Sequence, residues 1–179
     1  MSRLLLVLLA VAPASAYGQT RTPVILNVPN SVRSAALQGA GAALVGDASS
    51  VFINPAGLAT IRHMALEGSL WQTPRDGFVA SGSFGMRLRQ FDIGFGLQYL
   101  NRGDLLAPAL DSLAGVPHVP IAGPTYEAMG VGSLIYRFGM IALGGSTKII
   151  REKSEAVVQR AIGIDAGLAI AIFDIVALG

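Results

Sequence analysis

The chain contains no cysteine, so it has neither a disulfide framework nor a thiol to carry a lipid or a metal. Its only histidines are His63 and His118, far apart in sequence, and they supply no recognisable zinc ligand spacing. His63 reads as a surface residue at the base of the first strand, and His118 as a loop residue. No G-x-S-x-G elbow occurs, and neither histidine sits in the context of a catalytic triad. Gly39-x-Gly41 begins like a dinucleotide loop, but Leu44 breaks the pattern and no βαβ unit follows. These absences point to a protein that is not an enzyme and needs no cofactor. Charge is scarce too. Asp, Glu, Lys and Arg make up 13% of the residues, against roughly 25% in soluble domains. The balance of 13 basic and 11 acidic residues is nearly neutral, which argues against nucleic acid as a partner.

What the chain does have is 22 glycines and 52% apolar residues. So much apolar surface with so little helix-forming sequence needs somewhere to go other than one soluble core. Residues 1–16 read as a secretory signal. Arg3 gives the positive start, Leu4 to Ala12 the apolar core, and Ala14-Ser15-Ala16 a cleavage site of the A-x-A kind. That core is too short to span a bilayer. With no cysteine for a lipid anchor, the expected destination is the periplasm or outer membrane of a bacterium.

From Met64 onward the hydrophobic period is two. In Phe91 to Tyr99 every odd position is large and apolar, and the even positions are Asp, Gly, Gly and Gln. The runs 78–88 and 158–170 alternate in the same way. One greasy face and one face of glycine and polar atoms suits a sheet with lipid on one side. Ala161 to Gly179 is long and apolar enough to suggest a membrane helix, but Asp165, Asp174 and the strict alternation make it a hairpin. Strands are expected over 64–72, 78–89, 91–102, 125–137, 139–151, 157–171 and 174–179. Gln90 to Ile93, Arg137 to Met140 and Ile172 to Ile175 read as tight turns, each marked by Phe and by Asp or Gly. The other connections, Thr73 to Gly77, Gly103 to Pro124 and the charged Arg151 to Glu155, read as long loops at the opposite end. Tyr126 and Tyr136 share one face ten positions apart, or ~25 Å after a strand tilt of ~40°, which matches two aromatic girdles. Seven strands is an odd count for a bacterial barrel, so the chain reads as the first half of a larger one.

Between the signal and the strands lies a small-residue run, Ser34 to Thr60. Asp47 is placed to N-cap a short helix over Ala48 to Phe52. Asn54 is placed to cap a second turn, with Pro55 at its first position. Gly39 to Ala59, and within it Asp47-Ala48 and Asn54-Pro55-Ala56-Gly57-Leu58-Ala59, resembles the N-terminal segment of the FadL-like and PorV/PorQ outer-membrane barrels. The resemblance implies an all-β, antiparallel transmembrane β-barrel of fourteen strands, about seven of them present here, with a short helical plug inside. It divides the chain into a signal peptide (1–16), a lead-in and plug-like segment (17–62) and the first half of the barrel (63–179). The plug motif is then Asp47, Asn54, Pro55, Ala56 and Gly57. The lumen-facing candidates are Arg87, Asp92, Glu127, Lys148 and Asp165, which the pattern reads as hydration and plug contacts before any substrate relay. The function implied is passage of hydrophobic molecules of the long-chain fatty acid type across the outer membrane. The alternative is a PorV-like accessory of type IX secretion that handles the signal domains of exported proteins. Expected partners are outer-membrane lipid and either a hydrophobic small molecule or such a signal domain.

Overall fold

A computed structural model describes residues 22–37, 46–73, 77–102, 125–154, 157–172 and 176–178. The signal-peptide reading, residues 38–45 of the small-residue run, the whole 103–124 connection with His118, and the turn at Phe173 to Ile175 lie outside those residues. The fold is all-β and antiparallel. Seven strands, β1 (Met64–Thr73), β2 (Gly77–Leu88), β3 (Phe91–Asn101), β4 (Tyr126–Phe138), β5 (Ile141–Ser154), β6 (Val157–Ile172) and β7 (Val176–Leu178), pair in sequence order as one meander. The sheet is not closed, and β1 and β7 are its edges.

Strict alternation fixes which residues share a face, because register partners in an antiparallel pair point the same way. One row, for example, runs Gly82–Leu97–Gly130–Ile149–Ile162, and its neighbour runs Ser83–Gly96–Val131–Lys148–Gly163. The first row belongs to an outward face and the second to an inward face. On the inward face lie four short helical pieces. They are the 3-10 turns η1 (Val24–Asn27), η2 (Ala48–Phe52) and η3 (Pro55–Thr60), and the helix α1 (Val32–Ala36). Their apolar side chains Ile25, Val51, Phe52 and Leu58 join Val79, Met129, Val131 and Ile135 of the strands in the buried core.

The sheet curls around this inner segment. A Cβ added to Gly85 of β2 would lie 3.1 Å from Leu58, and one added to Gly144 of β5 would lie 2.7 Å from the amide nitrogen of Ala56. Residues 55–58 rise only ~6 Å along a 3-10 turn. In a flat sheet, β2 and β5 would be ~14 Å apart at ~4.8 Å per strand. Only a curved wall brings both within touch of one turn.

Two expectations need correction. Arg151 to Ser154 is not loop but the end of β5, paired with Val157 to Arg160, so only residues 155 and 156 separate β5 from β6. Thr73 and Gly77 are likewise register partners across three residues. Long connections at one end therefore reduce to a single one, 102–125. The charged run stays in register because it alternates, with Glu152 inward beside Arg102 and its basic neighbours outward. Asp92 is also not a turn residue. The β2–β3 turn is Arg89-Gln90 and the β4–β5 turn is Gly139-Met140. Two-residue hairpins need a left-handed φ, taken by Arg89 at 54° and by Gly139 at 57°. Asp92 falls one step later and points inward, where it is 1% exposed.

Candidate functional site: the seam between inner segment and sheet

Short helical turns leave most of their end N–H and C=O groups without partners of their own. Here the sheet supplies them. At the start of η1, Glu127 of β4 accepts the Ile25 N–H at 2.7 Å. At the start of η2, Glu67 of β1 accepts the Ser49 N–H at 3.1 Å. Beyond the end of η1, Gln98 of β3 donates to the Pro29 carbonyl at 3.2 Å. At the end of η2, Lys148 of β5 donates to the Phe52 carbonyl at 2.8 Å. Near the end of η3, Arg87 of β2 donates to the Ala59 carbonyl at 2.5 Å. Carboxylates thus meet the amide ends and cations or an amide meet the carbonyl ends, the arrangement that helix-end partial charges favour.

The Asn54 box forms the sixth corner. The Asn54 side chain accepts the Ala56 N–H at 3.1 Å, Pro55 occupies the first position of η3, and the Asn54 amide donates to the Leu168 carbonyl of β6 at 3.4 Å. Beneath it are the inward glycines. A Cβ on Gly96 would stand 2.6 Å from the Phe52 ring, and one on Gly144 or Gly167 would meet Pro55 at about 3.0 Å. These glycines form a floor on which the inner segment rests directly against strand backbone.

Asp47 behaves differently from the sequence expectation. It stands at the N-cap position of η2, but its side chain makes no capping bond there. The carboxylate instead pairs with Arg33 of α1 at 2.5 Å, tying α1 to the start of η2. The η2 amide it leaves is the one Glu67 takes. A charged partner within reach outcompetes a neutral amide for a carboxylate.

All five lumen-facing candidates, Arg87, Asp92, Glu127, Lys148 and Asp165, lie on the inward face, in three clusters. At the turn end, Asp92 sits 2.9 Å from Arg137 and 3.7 Å from Arg87. In the middle, Lys148 pairs with Asp165 at 3.0 Å, and Ser146 donates to Asp165 at 3.0 Å. At the opposite end, Arg102 bridges the fully buried Glu127 and Glu152. The clusters are separate, so they do not form one relay. The sequence reading missed Glu67, Gln98, Arg102 and Glu152, whose inward parity was the available signal. His63 is exposed just before β1, as expected, and among the described residues no three His, Cys, Asp or Glu side chains gather to hold a metal.

Between inner segment and wall a cavity of about 280 Å³ remains, bounded by Ile25, Leu26, Phe52, Ile53, Met129 and Lys148. The outward face is the opposite of this packed seam. Leu66, Leu97 and Ile164 are 79%, 71% and 82% exposed, and many other large apolar side chains are exposed beside them. Aromatic side chains flank this band at both ends. Phe78, Tyr99 and Tyr126 contact in series at 5.7 and 5.6 Å near one end, and Phe91, Tyr136 and Phe138 at 4.9 and 4.3 Å near the other. No family model, curated protein or solved structure matches the chain.

Proposed function

We propose that the chain is part of the wall and the plug of a bacterial outer-membrane β-barrel that passes hydrophobic molecules of the long-chain fatty acid type. The observation that carries this reading is the contrast between the two faces. Monomeric soluble proteins rarely expose apolar patches beyond a few hundred Å². A face of exposed Leu, Ile and Phe spanning six strands, bounded by two aromatic groups, suits the hydrocarbon layer between its interfaces. Open edges in lipid leave backbone groups unpaired at high cost. Further strands that pair β1 and β7 and close a wall of fourteen complete the proposal. The inner segment is then the plug, and residues 1–16 direct export, with cleavage near Ala16.

The seam supports a gated passage. Its cavity is lined about equally by polar and apolar surface, with Lys148 and Gln98 among the polar groups, and it falls just below the ~300–1,000 Å³ usual for ligand sites. A long acyl chain passes only if the plug shifts. The anchors to the wall are mostly single hydrogen bonds, worth ~1 kcal/mol net when neutral and ~1.5–3 kcal/mol when one partner is charged, so a shift that exchanges one or two of them is accessible. The test has two parts. The full-length protein should fractionate with outer membranes and show heat-modifiable mobility, and cells carrying it should take up a fluorescent long-chain fatty acid. Recovery as a soluble periplasmic protein would overturn the membrane reading. Membrane location without uptake, together with stalled release of exported proteins on deletion, would replace transport by the secretion-accessory role.

A further inference from the structure

Among the described residues of β1–β6, nearly every charged side chain faces inward: Glu67, Arg87, Asp92, Glu127, Arg137, Lys148, Glu152 and Asp165. The outward face has three exceptions, and all are basic. They are Arg151 and Lys153 on β5 and Arg160 on β6. Arg151 and Arg160 are direct register partners, and both are exposed. Like charges directly opposite on a sheet repel, and no acidic side chain lies on the outward face of the described strands to separate them. Lys153 lies two positions beyond Arg151 on the same face, at ~7 Å along the strand. The cluster sits level with Tyr99 and Tyr126, which are in register with Ala128 and Lys153. It is therefore at the headgroup end of the apolar band, on the side of the 102–125 connection.

From that cluster a groove of about 570 Å³ runs down the outward face. Ala128 and Gly130 of β4 lie between Leu97 of β3 and Ile149 of β5, Ala80 and Gly82 of β2 line it beyond Leu97, and Arg151 stands at the end nearest the cluster. A Cβ on Gly130 would find only Leu97, at 3.6 Å, so the groove has room. We propose that this is a lipid site: the guanidinium pair and Lys153 hold a phosphate of lipid A, and one of its acyl chains lies in the groove. Paired guanidinium groups match phosphate oxygens with two-pronged, charge-assisted hydrogen bonds. The anion also relieves the repulsion between Arg151 and Arg160. The choice of lipid A rests on the outer-membrane reading above. In that orientation the plug enters β1 from the periplasmic side, so the cluster lies in the outer leaflet.

The test uses the full-length protein folded into phosphatidylcholine nanodiscs and titrated with diphosphoryl lipid A, with bound lipid counted by native mass spectrometry. The wild type should bind diphosphoryl lipid A more tightly than its dephosphorylated form and more tightly than phosphatidylglycerol. Arg151→Gln/Arg160→Gln should weaken binding at least about tenfold, and so should Gly130→Leu, which fills the groove. Both variants should keep heat-modifiable mobility. Unchanged binding in the double variant, or equal affinity for phosphatidylglycerol, overturns the lipid A site. If the wild type itself fails to insert into the bilayer, the membrane reading falls and the site falls with it. Insertion without phosphate-dependent binding removes the site alone.

Discussion

Gly144→Ala, set against Gly132→Ala, isolates the contact between the inner segment and the sheet. The two glycines lie on adjacent strands, Gly144 inward on β5 and Gly132 outward on β4. A methyl group at 144 would stand 2.7 Å from the Ala56 nitrogen, 3.0 Å from the Pro55 carbonyl carbon and 3.1 Å from Pro55 Cβ. Two of those three are backbone atoms, so no rotamer change relieves the clash. Reaching an ordinary 3.4 Å contact requires a shift of 3.4 − 2.7 = 0.7 Å. The Asn54 bond to Leu168, already 3.4 Å long, does not survive such a shift. Overpacking of this kind costs ~1–3 kcal/mol. At 132 nothing lies within 4 Å of the new methyl group, and replacing Gly where there is room stabilises by ~0.4–1 kcal/mol. The two variants should therefore differ by ~1.5–4 kcal/mol. Denaturant unfolding in lipid vesicles, followed by the fluorescence of Trp71, measures that difference. Trypsin cleavage at the exposed Arg33 should also quicken in Gly144→Ala alone. Equal stability and equal cleavage in the two variants would refute the seat assigned to the inward glycines.

Asn54→Ala removes both the cap on Ala56 and the bond to β6, and should cost ~0.5–2 kcal/mol while leaving heat-modifiable folding intact. Loss of folding would make the box part of the wall. Lys148→Met leaves Asp165 without its cation, a change that costs 3–5 kcal/mol for a fully buried pair and about half that here, since Asp165 is 34% exposed. In the same unfolding assay Lys148→Met/Asp165→Asn should recover the part of the loss owed to the unpaired Asp165 but not the bond to the Phe52 carbonyl, and an additive double variant would show that the pair is not coupled.

Strand order, strand limits within about three residues and the sorting of faces were legible because a period of two leaves little freedom once one face is greasy. The Asn54-Pro55 corner was legible because its capping is local. The Asp47 cap was not, because it was decided by Arg33, which is distant in sequence and whose position only the fold sets. The inward face was read as hydration and plug contacts, and glycine and polar residues such as Gly94, Gly96 and Gln98 do not say in a sequence which of the two prevails. In the structure Gln98 is buried and bonded to Pro29, and the glycines are small because the inner segment lies on them. Absent side chains look alike in a sequence whether they admit water or backbone. The run Arg151 to Glu155 was read as loop because charge suggests loop, whereas the alternation of Arg151 to Ser154 keeps those four residues in register.

The most direct test of the two-faced wall uses the natural absence of cysteine. Single cysteines at positions 128 to 135 of β4, spin-labelled in vesicles, report in turn on collisions with dissolved oxygen and with a water-soluble nickel complex. Labels replacing Gly130, Gly132 and Leu134 should meet oxygen readily and nickel hardly at all, and one replacing Ala128, level with Tyr99 and Arg151, should meet both. Those replacing Met129, Val131, Ser133 and Ile135 should be shielded from both by the inner segment. Collision rates without a period of two, or nickel reaching positions 130, 132 and 134, would contradict the account.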